Sequence, residues 1–274
     1  MFKTILVRAL SGAVFVAIII GAIFWDPRAL AFLLLVLTAL GLQEFFGLFR
    51  KAGVISKTYN GIILGLIVYS LITAVAFSQL SPFAILGIIP LIFLLFIFEL
   101  YKKNDQPFTQ IGYQILGILY IAVPFSLYHF VHQYPIGGKP NFEPWLLSGT
   151  FFLIWANDTF AFLFGISFGK HRLFERISPK KSWEGTIGGG LSTFGMAWLL
   201  GTYTNTIDLN TWLILAAIVV PSAVFGDLVE SLLKRSLNVK DSGNIMPGHG
   251  GILDRFDAAN FALPFIVFFL YLLA

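Results

Sequence analysis

Cysteine is absent from the chain. That excludes disulfides, thiolate metal sites and cysteine nucleophiles, and it leaves the redox compartment unread. Charge is nearly as scarce: 12% of the residues are charged and 57% are hydrophobic, whereas a soluble domain carries about 25% charged residues. With a mean hydropathy of +0.84, the 274 residues read as an all-α integral membrane protein rather than as one or two soluble domains. Histidine occurs four times, at spacings that give no histidine metal set. No heptad series, low-complexity tract or internal repeat is apparent. A net charge of +4 would suit nucleic acid in a soluble chain. In a membrane protein, basic residues instead line the cytoplasmic face or meet anionic headgroups, so no nucleic-acid partner is expected.

Apolar runs broken at charges, Pro and Asn predict nine transmembrane helices, at about 9–25, 29–49, 60–78, 82–100, 111–131, 145–169, 185–203, 211–230 and 258–274, each near the roughly 20 residues that a bilayer requires. The first run follows Lys3 and Arg8 like a signal peptide. Its apolar part is long, lacks a small-x-small cleavage site and is followed by eight more runs, so it reads as a retained helix. Placing the amino terminus in the cytoplasm puts 16 of the 18 basic residues on that side and 2 on the other, a strong positive-inside bias. The odd span number then puts the carboxyl terminus on the opposite side. Residues 1–131, whose intramembrane acids are Glu44 and Glu99, read as scaffold. Each lies about a turn from a cytoplasmic end, where water, Arg50 or Lys102 is in reach. Residues 145–274, with cytoplasmic loops 170–184 and 231–257, read as the catalytic region.

Several polar groups stand where a membrane makes them costly. Asn157 and Asp158 lie within the sixth run, and an ionised carboxylate facing lipid there costs at least about 2.5 kcal/mol. Asp158 therefore needs a polar cavity or a partner. Ala161, Gly165 and Gly169 continue its stripe with small side chains that admit another helix. Such stripes fit packing within the chain or a homodimer equally well. In the following loop, Ser178-Pro179-Lys180-Lys181-Ser182 gathers hydroxyls and ammonium groups just before a new helix, a combination that suits a phosphate-rich ligand. Lys170, Arg172 and Arg176 are read as membrane anchors at least as readily as ligands. At the end of the eighth run Asp227, Glu230, Ser231 and Lys234 share a helical face. An ordinary surface pair explains Glu230 and Lys234 but leaves Asp227 unexplained. Beyond it, Gly248-His249-Gly250-Gly251 lets backbone amides approach an anion. Asp254 and Asp257 follow at i and i+3, oxygen donors that favour Mg²⁺ or a similar hard ion. A phosphate nest beside carboxylates is what metal-assisted phosphoryl or nucleotidyl transfer requires.

Ser231-Leu232-Leu233-Lys234-Arg235, Lys240-Asp241 and Pro247-Gly248-His249-Gly250-Gly251-Ile252-Leu253-Asp254-Arg255-Phe256-Asp257 together resemble the signature of the phosphatidate cytidylyltransferases, the CDP-diacylglycerol synthases. The Asn157-to-Phe162 and Ser178-to-Gly185 segments resemble that family in the same order. The resemblance covers roughly the carboxyl-terminal half and implies that phosphatidate attacks the α-phosphorus of CTP, with Mg²⁺ and conceivably a second cation, releasing pyrophosphate and CDP-diacylglycerol. Under it, Asp227 and Asp254 are the leading metal ligands, with Asp257 and Asp158 behind them. Lys180, Lys181, Lys234, Arg235, Lys240 and Arg255 would hold the triphosphate and the lipid headgroup, with hydrogen bonds from Ser178 and His249. Asn157, Asp241, Gly250 and Gly251 complete the expected substrate contacts. The expected partners are CTP, phosphatidic acid and the bilayer, and the expected location is the cell membrane with the site facing the cytoplasm. A relative acting on another lipid phosphate, a CTP-dependent lipid kinase, or an ion-coupled transporter are the competing readings.

Overall fold

The computed structural model describes residues 2–56, 58–135, 142–239, 241–243, 245 and 250–273, with side chains described from residue 10 to residue 272 among these. All nine predicted segments are helical: α1 (Phe2–Trp25), α2 (Pro27–Lys51), α3 (Tyr59–Ala76), a 3-10 turn (Pro82–Gly87) leading into α4 (Ile88–Leu100), α5 (Pro107–Gly117) joined through a π turn (Ile118–Ala122) to α6 (Val123–His132), α7 (Pro144–Phe168), α8 (Trp183–Tyr203), α9 (Leu209–Ser236) and α10 (Leu253–Leu273). Seven of these segments are long and apolar enough to cross a membrane. The exceptions are α1, whose described apolar part is shorter, and the glycine-rich α8. The fifth segment is one span built as two helices, because Pro124 withholds a backbone N–H and the ladder widens into the π turn just before it.

The chain forms two compact units, Met1–Gln133 with Asp241–Arg255, and Tyr134–Lys240 with Phe256–Ala274. In the first, α2 supplies a buried row that includes Leu30, Leu34, Phe45, Phe46 and Phe49. Helix α3 approaches it through glycine: a Cβ on Gly65 would stand 2.6 Å from Leu42, and one on Gly61 3.0 Å from Phe46. Some buried polar side chains here find partners. The Tyr69 hydroxyl donates to the Ala31 carbonyl at 2.8 Å and pairs with His129 Nε2 at 2.8 Å. Glu99 meets Lys102 at 3.4 Å, as expected for an acid one turn from a helix end.

In the second unit the small-residue stripe of α7 packs on α8. A Cβ on Gly189 would lie 2.7 Å from the Asn157 carbonyl oxygen and 2.9 Å from Ala161 Cβ, and one on Gly185 2.6 Å from the Ala161 carbonyl oxygen. Close approach of these backbones needs small residues on both helices. The loop before α8 contains an antiparallel hairpin, β1 (Arg172–Phe174) and β2 (Ser178–Ser182), pairing Arg172 with Ser182 and Phe174 with Ser178. Ser182 ends the hairpin and starts the helix, its Oγ accepting from the Gly185 N–H at 3.2 Å, as an N-cap does. Glu184 ties the hairpin's base: its carboxylate accepts from the backbone N–H groups of Lys170 at 3.1 Å and His171 at 3.2 Å and meets His171 Nδ1 at 2.6 Å. The His171 contact and these amides hold the Glu184 carboxyl down at about 2.

Candidate active site

The site in the second unit begins with one glycine. A Cβ on Gly226 of α9 would stand 2.7 Å from the Asp257 carbonyl oxygen and 3.0 Å from Ala258 Cα. Only glycine lets the α10 backbone come so near, and that approach sets Asp227 and Asp257 side by side. Glu230, one turn after Asp227, joins them: one carboxylate oxygen from each of Asp227, Glu230 and Asp257 lies within 4.8 Å of the others. Oxygen donors around Mg²⁺ sit at about 2.1 Å from the ion, so a small contraction would close this set around a hard cation.

Two ammonium groups balance the acids. Lys181 Nζ stands 2.6 Å from Asp227 Oδ2 and 3.4 Å from the Val224 carbonyl oxygen. Lys234 Nζ donates to Glu230 Oε2 at 2.7 Å. The sequence reading treated this second pair as an ordinary surface contact. Its acid is instead deeply buried, with Glu230 1% exposed and the Lys234 side chain 13% exposed. A charge pair so far from water is costly to assemble and costlier to break, which argues against a merely decorative pair. Ser231 Oγ donates to Asp227 Oδ1 at 3.2 Å, and the Ala258 N–H donates to Asp257 Oδ1 at 2.7 Å.

Beside the acids lies a cavity of about 640 Å³ lined by Asn157, Asp158, Ser178, Lys180, Lys181 and Asp227 among others. That volume falls within the roughly 300–1,000 Å³ typical of small-molecule sites. Asp158 is exposed and lines it, and the Asn157 side chain is buried, its Oδ1 lacking a hydrogen-bond partner among the described residues. Arg235 is exposed and donates to the Val239 carbonyl at 3.4 Å.

The glycine-rich segment belongs to the first unit. Lys240 and His249 lie outside the described residues, as do Pro247 and Gly248. Asp241 and Arg255 are exposed. Asp254 Oδ2 accepts from the Ser242 N–H at 3.0 Å, the Ser242 hydroxyl at 2.8 Å and the Gly251 N–H at 2.9 Å. Gly250 adopts φ +83°, a region that disfavours side chains, and its Cβ would meet Asp254 Oδ2 at 2.5 Å. Thus Asp227 and Asp257 share a cluster with Glu230, while the Asp254 carboxylate gathers its own loop. Glu44 also differs from expectation. It is buried and accepts from the Leu253 N–H at 3.1 Å instead of reaching Arg50. Sequence reasoning missed Glu230 as a member of the acid cluster, although its i+3 spacing from Asp227 was in view. It missed Glu44 because no local pattern reports a contact across 209 positions.

Membrane-length helices, buried acids and a basic cavity together define a polytopic α-helical membrane protein with its polar chemistry gathered at helix ends. The model of the cytidylyltransferase family matches residues 6–273, and the chain belongs to that family. Similar proteins include one named phosphatidate cytidylyltransferase from Staphylococcus epidermidis, 34% identical over 182 residues, covering 66% of this chain and 66% of that protein. One of the same name from Haemophilus influenzae is 36% identical over 170 residues, covering 58% and 57%. Another from Staphylococcus aureus is 34% identical over 182 residues, covering 66% of each. The aligned stretch is thus just under two thirds of these relatives' length.

Proposed function

We propose that this chain is a CTP:phosphatidate cytidylyltransferase. A phosphate oxygen of phosphatidic acid attacks the α-phosphorus of CTP, the bond from the α-phosphorus to the bridging oxygen of the β-phosphate breaks, and CDP-diacylglycerol and pyrophosphate form. The observation that carries this reading is the convergence of Asp227, Glu230 and Asp257 beside a cavity bearing Lys180 and Lys181, in a chain that its family's model matches almost from end to end.

The attacking oxygen is already anionic near neutral pH, so no strong base is needed, and positioning with charge neutralisation supplies most of the rate. Lys180, Lys181 and Ser178 hold phosphate oxygens, and Asn157 offers the cavity floor a polar contact. Three carboxylates with two ammonium counter-charges leave a net negative pocket whose all-oxygen donor set fits Mg²⁺. That ion, when bound, neutralises charge developing between attacking and leaving oxygens. Lys234 orients Glu230, and Lys181 orients Asp227. Asp254 orders the glycine-rich loop by holding the Gly251 N–H, and the Gly250 amide, Lys240, His249 and Arg255 serve the phosphate groups. Arg235 meets the lipid headgroup at the membrane surface. The positive-inside bias supports a cytoplasmic face for these groups, where CTP is available.

Purified protein in detergent, given CTP, phosphatidic acid and Mg²⁺, is expected to release pyrophosphate and CDP-diacylglycerol in equal amounts, and to stop when EDTA is added. Well-folded protein that leaves CTP untouched under these conditions would overturn the proposal.

A further inference from the structure

We propose that Glu44, in the amino-terminal half of the chain, is a positioning residue for the described ends of the glycine-rich loop, Ser242–Gly243 and Gly250–Asp254. The inference rests on the reading of that loop as part of a phosphate-handling site. Glu44 is 8% exposed and sits in the carboxyl-terminal half of α2. Its Oε2 accepts from the N–H of Leu253, the first residue of α10, at 3.1 Å. The first N–H groups of a helix have no partner within it, and a carboxylate there also meets the positive end of the helix dipole. Glu44 therefore caps α10 from a helix 209 positions away.

The loop is shaped around this carboxylate. The three heavy atoms nearest a Cβ on Gly243 would all belong to Glu44, the closest being Oε1 at 2.4 Å. A Cβ on Gly251 would stand 2.4 Å from Glu44 Oε2 and 2.4 Å from Ser242 Oγ. Two glycines in the loop are thus required where the backbone passes over the Glu44 side chain. Asp254 closes the same loop from within by accepting from Ser242 and Gly251. The loop is held at both ends by carboxylates, one local and one delivered by α2. Phosphate-binding amides work only if they are fixed before the ligand arrives, and Glu44 supplies that fixation.

The test uses the full-length protein in detergent and reads amide hydrogen exchange together with cytidylyl transfer. Glu44→Ala removes the acceptor of the Leu253 N–H, so exchange at Leu253 is expected to accelerate by about ten- to a hundred-fold and exchange at Gly251, whose N–H is held by Asp254, to accelerate with it as the loop loosens, with α7 and α8 exchanging at the parent rate and turnover falling at least tenfold. Glu44→Gln keeps the shape and one acceptor oxygen and is expected to restore most of the protection and the turnover. Glu44→Asp, one methylene short, is expected to behave like Glu44→Ala. A second comparison isolates the contact: Gly243→Ala should cost at least tenfold in turnover in the parent and less than about twofold in the Glu44→Ala background, since the clashing group is gone. Unchanged exchange at Gly251 and Leu253 in Glu44→Ala would overturn the proposal, as would accelerated exchange with normal turnover, or an equal cost of Gly243→Ala in both backgrounds. Parent protein that fails to turn over CTP would refute the functional reading instead, and the exchange data would still decide whether Glu44 holds the loop.

Discussion

Asp257→Asn separates a binding role from a structural one, because the two roles predict opposite changes in stability. One oxygen from each of Asp227, Glu230 and Asp257 lies within 4.8 Å of the others. At that separation each pair of like charges repels by about 3.5 kcal/mol with an effective dielectric constant near 20. Asp257 takes part in two such pairs, and the ammonium groups bound to Asp227 and Glu230 reduce the repulsion. Asparagine keeps the shape and still accepts from the Ala258 N–H, now at 2.7 Å from Oδ1. The variant should therefore be more stable than the parent in EDTA, by up to about 3 kcal/mol. With Mg²⁺ the gap should close. An ion at a hundred times its dissociation constant stabilises the parent by about 2.7 kcal/mol, whereas the variant has lost a ligand and should gain little. The assay is thermal unfolding in detergent with EDTA and across a Mg²⁺ series, with turnover measured on the same samples. A variant that is less stable than the parent in EDTA, or that keeps both the Mg²⁺ response and normal turnover, would refute the account of this cluster.

Other expectations follow from single contacts. Lys181→Met removes the ammonium 2.6 Å from Asp227 and should lower turnover at least tenfold while leaving the unfolding temperature nearly unchanged, since the pair is partly solvated; a large drop in unfolding temperature with normal turnover would contradict this. Gly189→Ala forces a Cβ to within 2.7 Å of the Asn157 carbonyl oxygen and should destabilise the protein by about 1–3 kcal/mol through overpacking, measurable by thermal unfolding and accompanied by weaker CTP binding. Glu184 has a carboxyl held down at about 2, below its value in an unfolded chain, so its contribution to hairpin order is complete above about pH 4.3 and fades as the pH falls toward 2. Amide exchange at Lys170 and His171, corrected for intrinsic rates, should stay constant between pH 7 and pH 5 and accelerate in Glu184→Gln at all of these values. Acceleration in the parent between pH 7 and pH 5 would count against the tether.

The helices were legible because a bilayer imposes length and apolarity on each span, and the signal needs no knowledge of neighbours. Their ends were less legible: α9 runs on to Ser236 because Lys234 satisfies Glu230 inside the helix and lets it extend beyond the apolar run. The hairpin Arg172–Ser182 was hidden, since strands of three and five residues are too short for an alternating pattern to stand out. The packing stripe of Ala161 and Gly165 was visible from helical spacing alone. In the site, the Lys180-Lys181 pair and Asp227 could be picked out as chemistry in the wrong solvent. Glu230 was concealed by an innocent explanation, a lysine four residues on, which burial removes. Glu44 lay beyond reach of any local argument, because its partner is set by tertiary structure.

The central claim is the transfer of a cytidylyl group to a lipid phosphate, and the most direct measurement follows the label from CTP. Purified protein would be incubated with phosphatidic acid and Mg²⁺ and with CTP labelled either on the α-phosphate or on the γ-phosphate. The account predicts lipid-borne label from the α-labelled nucleotide only, with the γ-label leaving in pyrophosphate, and no transfer in EDTA or in Asp227→Asn. Lipid-borne label from the γ-labelled nucleotide would make the protein a lipid kinase and would contradict the account.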